Sequence, residues 1–232
     1  MTKPTKPKNV SQISQSNELT EAAYFLSLQS KRVLWLCLLE CYKQGKNLKD
    51  FGNEFTVLVS DYQETFEVGK VAASNDVKRG IEDLLGKYVK FYDPQGEYPE
   101  IYRPWLAEAG HRVARGKWTL TFNPLITPFM TGLSQQFTTF SLYDARKLNS
   151  PRIIRLYENL CQFRSSGIWL TSHAQLAERY DLPESQRLHF SEMKRTFLDP
   201  AIKKINAHTA LKASYKAMDD GRLIFTIVTN ES

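Results

Sequence analysis

Apolar positions along the chain recur with two different periods, and the same order of periods occurs twice. Residues 27–44, "SLQSKRVLWLCLLECYKQ", are apolar on most faces and predict a buried helix. A short β-prone piece, "EFTVLVS" (54–60), precedes a helix at "DYQETFEV" (61–68). "SNDVKRGIEDLLGKYVKF" (74–91) sets Val77, Ile81, Leu84, Leu85 and Val89 at helical spacing, with Ser74 or Asn75 as its N-cap. "EIYRPWLA" and "GKWTLTFN" then predict two strands flanking "EAGHRVARG".

After "TPFMTGLSQQFTTFSLYD" (127–144), read as a connector, the order begins again. "SPRIIRLYENLCQFRSSG" (150–167) predicts a helix with Ser150 as N-cap, Pro151 in the first turn and Gly167 beyond the end. "IWLT" (168–171) predicts a strand, and "SHAQLAERYDL" (172–182) a second helix capped by Thr171 or Ser172. The third is "FSEMKRTFLDPAIKKINAHT" (190–209), followed by the alternating stretches "LKASYKAM" and "RLIFTIVT" about the turn "DDG" (219–221). Helix, strand, helix, helix, hairpin is the order of a winged helix. The expected fold is therefore α+β, two tandem winged-helix domains, each a three-helix helix-turn-helix core with a β-hairpin wing. The expected divisions are a disordered basic tail over 1–16, an N-terminal domain over 17–135 and a C-terminal domain over 136–232.

Charge sharpens this picture. Lys and Arg number 31 against 25 Asp and Glu, and the excess is uneven: residues 1–140 hold 17 basic and 15 acidic side chains, residues 141–232 hold 14 and 10. The later domain is thus the better candidate for a surface facing a polyanion. Cys37, Cys41 and Cys161 lie in apolar sequence without CxxC spacing, so reduced buried thiols are expected rather than a metal site, although Cys37 and Cys41 share a helix face. No cofactor is implied. "VLWLCLL" (33–39) is the most apolar run and far shorter than the roughly 20 residues that span a bilayer, and the N-terminus has no apolar signal region. A cytoplasmic location is expected.

"SPRIIRLYENLCQFRSSG", then "MKRTFLDPAIKKIN", then the terminal hairpin resembles the Rep_3 family, the replication initiators of iteron-containing bacterial plasmids. The residues that carry the likeness are Arg155-Leu156-Tyr157-Glu158, Lys194-Arg195, Leu198-Asp199-Pro200-Ala201 and Ile205-Asn206, with Asn17-Glu18-Leu19 ahead of the first long helix. Lys204 departs from the Glu often found there. The resemblance implies monomers that bind direct repeats (iterons) in a plasmid origin through both winged helices. It also implies a homodimer, in equilibrium with the monomer and joined mainly through the first domain, that binds an operator inverted repeat and represses its own gene. Host replication initiator, helicase and chaperones are the implied partners. A winged-helix transcriptional repressor without initiator activity is the alternative.

Within 190–209 the Asp199-Pro200 pair predicts a kink or restart, because proline lacks an N–H and its ring meets the carbonyl of Thr196. Phe190, Met193 and Phe197 should face the core before the break, and Ala201, Ile202 and Ile205 after it. Arg195 lies opposite and is the candidate for reading a guanine edge, since a guanidinium fits O6 and N7 in bidentate fashion. Arg187, Ser191 and Lys194 are the next candidates. Lys203 and Lys204, with Lys212, Lys216 and Arg222 on the wing, are expected at phosphates. In the first domain Lys78 and Arg79 occupy the third helix and His111, Arg112 and Arg115 the wing.

No enzyme is expected. "GIEDLLGKY" (80–88) has five residues between its glycines where a phosphate-binding loop has four, and Tyr88 stands where that loop needs Ser or Thr. His111, His173, His189 and His208 are scattered, without the clustered pair that a metal-dependent nicking enzyme requires.

Overall fold

The computed structural model describes residues 12–43, 52–93, 95–130 and 136–229. Its first half contains β1 (Gln12–Ser16), α1 (Asn17–Glu21), α2 (Leu28–Lys43), β2 (Glu54–Leu58), α3 (Val59–Phe66), α4 (Lys70–Leu85), β3 (Tyr88–Tyr92), β4 (Glu100–Pro104), β5 (Leu106–Arg112) and β6 (Lys117–Phe122). Then come α5 (Thr127–Met130), β7 (Phe137–Ser141) and α6 (Leu142–Ala145). The second half contains α7 (Pro151–Gln162), β8 (Ile168–Ser172), α8 (His173–Arg179), α9 (Glu184–Leu188), α10 (Phe190–Met193), a π-helical turn (Lys194–Leu198), α11 (Asp199–His208), β9 (Leu211–Ala217) and β10 (Arg222–Thr229). Each half is a three-helix core whose hairpin joins a short strand in an antiparallel sheet, ordered β2-β6-β5 and β8-β10-β9. Two winged helices stand in tandem.

α2 and α4 cross at Gly80. A Cβ there would lie 2.8 Å from the backbone of Gln29, and Ser30 Oγ donates to the Gly80 carbonyl at 2.9 Å and to Asp83 Oδ2 at 2.6 Å. A glycine inside a helix costs about 1 kcal/mol relative to alanine, and here it allows two helix backbones to touch. The spaced glycines Gly80 and Gly86 thus serve packing and helix termination, since Gly86 closes α4.

Four expectations about the elements are corrected. Residues 12–16 are not a disordered tail: they form β1, paired with β7 from Gln12↔Ser141 to Ser16↔Phe137, with Ile13, Gln15 and Ser16 fully buried. Ser14 and Thr139, 125 positions apart, share a 2.8 Å hydroxyl hydrogen bond. The remainder of the expected tail, residues 1–11, lies outside the described residues. The stretch 127–144 is no mere connector, because it holds the partner strand and two short helices. α4 starts at Lys70 behind Gly69, ahead of Ser74 and Asn75, and ends at Leu85. "YVKFY" beyond it alternates as β3 against β4, burying Val89 and Phe91. Lastly, the helix passes Pro200 without a break. Leu198 and Asp199 both keep right-handed helical angles, and the Asp199 N–H bonds the Lys194 carbonyl five residues back. The wider π turn absorbs the proline that an ordinary α-turn would reject. Asp199 consequently does not cap a new helix; it accepts a 2.6 Å hydrogen bond from Tyr215 on β9.

One apolar cluster runs through both halves, and α7 contributes Ile154, Leu156, Tyr157, Leu160 and Cys161 to it. Arg155, Glu158 and Asn159 on α7 are all buried. Lys31 of α2 donates to both Glu158 oxygens at 2.7 and 2.9 Å and to Tyr24 Oη at 3.1 Å. Arg155 Nη2 donates to the Ala22 carbonyl at 2.6 Å, and the guanidinium lies 3.7 Å from the centre of the Tyr24 ring. Asn159 donates to the Thr20 carbonyl and accepts from Tyr180 Oη at 2.6 Å. Burial pushes the Tyr180 hydroxyl pKa upward, so it stays a donor.

Removing one member of a buried ion pair costs about 3–5 kcal/mol, whereas replacing both by apolar groups of similar volume is close to neutral. Glu158→Leu should therefore lower the denaturant midpoint sharply, and Lys31→Met with Glu158→Leu should recover most of the loss in the same titration. Gly80→Ala should cost about 1–3 kcal/mol by forcing α2 and α4 apart, against a helix-propensity gain that would dominate if the contact were loose.

Candidate nucleic-acid interface

In the second domain the chain from α9 to α11 presents one side to the core and one to solvent. Met193, Phe197, Ala201 and Ile205 are buried and Phe190 and Ile202 pack beside them, as the spacing predicts. Ser191, Lys194 and Arg195 are exposed on the other side, with the Arg195 side chain 73% accessible. α9 braces this helix: Gln186 Nε2 donates to Thr196 Oγ1 at 2.9 Å, and the Gln186 carbonyl lies 2.6 Å from His173 Nε2 of α8. Ser172, as expected, caps α8 by accepting from the Gln175 N–H. Tyr215, its hydroxyl pKa raised by burial and then by Asp199, ties the wing to the same helix.

The candidate cations divide by what already holds them. Arg187 closes the turn between α8 and α9, donating to the Leu182 carbonyl at 2.6 Å and to Asp181 Oδ1 at 2.7 Å. Lys212 turns to the C-terminal end of α11, where its Nζ meets the carbonyls of Asn206 and Thr209. Arg222 pairs with Asp220 at 2.6 Å, and the Arg222 backbone N–H together with its guanidinium holds the Asp220 carboxyl below the usual carboxylate range. Arg195 Nη2 sits 2.9 Å from both oxygens of Glu192. Lys203 and Lys216 are exposed, and Lys204 is half-buried.

In the first domain Lys78 faces Glu82 across one turn at 3.8 Å, and Arg79 is exposed beside it. Exposed Arg112 ends β5 opposite Lys117, and His111 stacks on Trp118 with ring centroids 4.0 Å apart and planes 6° from parallel. The Arg115 side chain lies outside the described residues, as does that of Cys41. Cys37 and Cys161 are buried, the latter's thiol pushed up to about 12 by burial.

The sequence reading missed Lys117 and Trp118, which pairing across the first hairpin turn would have placed beside Arg112 and His111. It also missed Glu192, and the segment around α6. There Arg146 donates to the Thr65 carbonyl at 2.9 Å and pairs with Glu67 at 2.9 Å. Asp144 accepts from the Ala210 N–H, and Lys147 lies 3.7 Å from the Tyr143 ring centre. Short contacts on both sides thus fix α6 between α3 and the end of α11.

Residues 12–161 match the family described as "Initiator Replication protein, WH1", and residues 172–228 match "Initiator Rep protein, WH2". The chain belongs to the initiator replication protein family. As a member it is a plasmid replication initiator of the Rep_3 type. It is 48% identical over 227 residues to an Escherichia coli protein described as "Uncharacterized 27.6 kDa protein", covering 95% of each chain. The fold is shared with the Pi initiator protein, whose crystal structure was solved in complex with iteron DNA, at TM-score 0.75 and 18% identity over 97% of this chain and all of that one. Domains 2 and 3 of RctB are a more distant likeness, with TM-score 0.50, 10% identity and coverage of 92% and 85%. Among the described residues of the Rep_3 chain, no helix is long and apolar enough to cross a membrane.

The hydrogen bonds separate two kinds of arginine. Arg187→Ala should lower stability in the absence of any ligand by about 1–2 kcal/mol, through the lost turn contacts, whereas Arg195→Ala should stay within about 0.5 kcal/mol of the parent. Denaturant titration of both variants checks this.

Proposed function

We propose that this initiator binds iterons in its plasmid origin as a monomer, laying both winged helices on one DNA duplex and initiating replication without a catalytic step of its own. The observation that carries the reading is the solvent face of the 190–208 helix, where Ser191, Lys194, Arg195 and Lys203 stand clear of the core on a braced element. In a winged helix the third helix is the one that enters the major groove. The shared fold with a protein solved on iteron DNA supports the same placement.

Arg195 is assigned to a guanine edge, with Lys194 and Ser191 beside it. Lys203, Lys216, Arg222 and the half-buried Lys204 are assigned to phosphates. Arg187 and Lys212, already occupied by the fold, contribute by shaping the surface. In the first domain Lys78, Arg79 and Arg112 meet the backbone of the adjoining groove, with His111 and Lys117 at the wing. By resemblance to the Rep_3 family the chain also forms a dimer that represses its own gene on an inverted repeat, and it hands the opened origin to the host initiator, helicase and chaperones. Its place of action is the bacterial cytoplasm.

A band-shift titration on the origin tests this. Ordered ladders on direct repeats are expected; a single dimer shift on an inverted repeat alone would indicate a repressor, and strand scission would indicate an enzyme. Arg195→Ala should weaken repeat binding by about 1–3 kcal/mol and relax preference at one base pair. Lys203→Ala should weaken binding to all sequences and flatten the salt dependence by about one unit.

A further inference from the structure

The cation assigned to base reading is not free in the unbound protein. Arg195 Nη2 lies 2.9 Å from both Oε1 and Oε2 of Glu192, one turn earlier on the same helix. The two ends of this pair differ in accessibility: the Glu192 side chain is 33% exposed and the Arg195 side chain 73%. The carboxylate is therefore seated against the protein while the guanidinium projects from it. Only Nη2 is engaged, so Nη1 and Nε keep their donors as single groups, since either two-donor edge of the guanidinium includes Nη2.

We propose that Glu192 is a specificity-determining positioning residue, one that holds Arg195 for guanine and turns it away from phosphate. The proposal rests on the assignment of the 190–208 helix to the major groove. A phosphate approaching Arg195 must bring a full negative charge beside the Glu192 carboxylate, at a few ångströms, where like charges repel most strongly. Guanine O6 and N7 are neutral acceptors and meet no such repulsion, so Nη1 and the share of Nη2 not taken by Glu192 can still donate to them. The same carboxylate thus penalises contact with any backbone more than contact with one base, and discrimination is a difference between two affinities. It also removes rotamer freedom from Arg195 before binding. Asp220 beside Arg222 is a similar pair on the wing with both side chains about half exposed, and by the same repulsion it weakens that arginine's contact with phosphate.

The test is a pair of titrations on the full chain, one with a duplex bearing a direct repeat from its own origin and one with a mixed-sequence duplex of equal length. Glu192→Ala should tighten binding to the mixed duplex and lower the ratio of the two affinities about tenfold, which is within what one good base contact contributes. Glu192→Gln, which keeps an acceptor for Nη2 but no charge, should fall between. In an Arg195→Ala background Glu192→Ala should leave the ratio unchanged, because the effect acts through the arginine. The salt slope on the mixed duplex should steepen in Glu192→Ala, a readout that a purely structural role would not move. If Glu192→Ala shifts both affinities by one factor, or neither, the proposal is overturned while DNA reading by this helix stands. A parent protein with no preference for the repeat overturns both.

Discussion

Glu158 is a carboxylate without access to solvent, and its charge is acceptable only because Lys31 reaches it from another helix in the other half of the chain. The rest of the architecture follows from that requirement. α7 cannot rotate without stranding a charge, so its neighbours are fixed too: Arg155 against the Ala22 carbonyl and the Tyr24 ring, Asn159 between Thr20 and Tyr180. Buried polar contacts of this kind add little net stability compared with apolar packing, but they tolerate only one geometry. Here they fix α7 within the apolar cluster that runs through both halves.

That fixed packing gives the solvent-facing helix its character. The 190–208 segment is continuous through Pro200 because a π turn lengthens the hydrogen-bond loop just ahead of the ring. Its inner face is apolar, its flank is braced by Gln186, Thr196 and Tyr215, and its outer face carries Arg195, paired with Glu192, beside exposed Ser191, Lys194 and Lys203. The surface is thus less nakedly basic than the sequence totals suggest. Arg187, Arg195, Lys212 and Arg222 are held by carboxylates and carbonyls of the same fold.

Local chemistry made much of this readable from the residues. The helix at Pro151, the left-handed Gly167 and Gly221, the cap at Ser172 and the buried stripe of Met193, Phe197 and Ile205 all depend on neighbours within a few positions. What was not readable depends on distant or alternative partners. β1 looks like polar tail because its mate is β7, far along the chain. "YVKFY" fits a helical window until β4 supplies a ladder for it. Pro200 reads as a kink or restart unless a π turn is admitted. Arg187 and Lys212 count as surface charges in a sequence, yet helix ends and turns in the fold use them first. Glu192 was overlooked for the opposite reason, since an acidic residue is not sought on a surface meant for an anion.

The segment around α6 has a geometric corollary. Arg146 is bonded to Thr65 of α3 and Asp144 to Ala210, two residues beyond the end of α11, so side-chain contacts as well as the chain itself join the two winged helices here. A double helix turns once in about 10–10.5 base pairs. On the proposed placement of both heads on one duplex, half a turn of extra sequence between the touched segments would carry one of them to the far side, out of reach of its head.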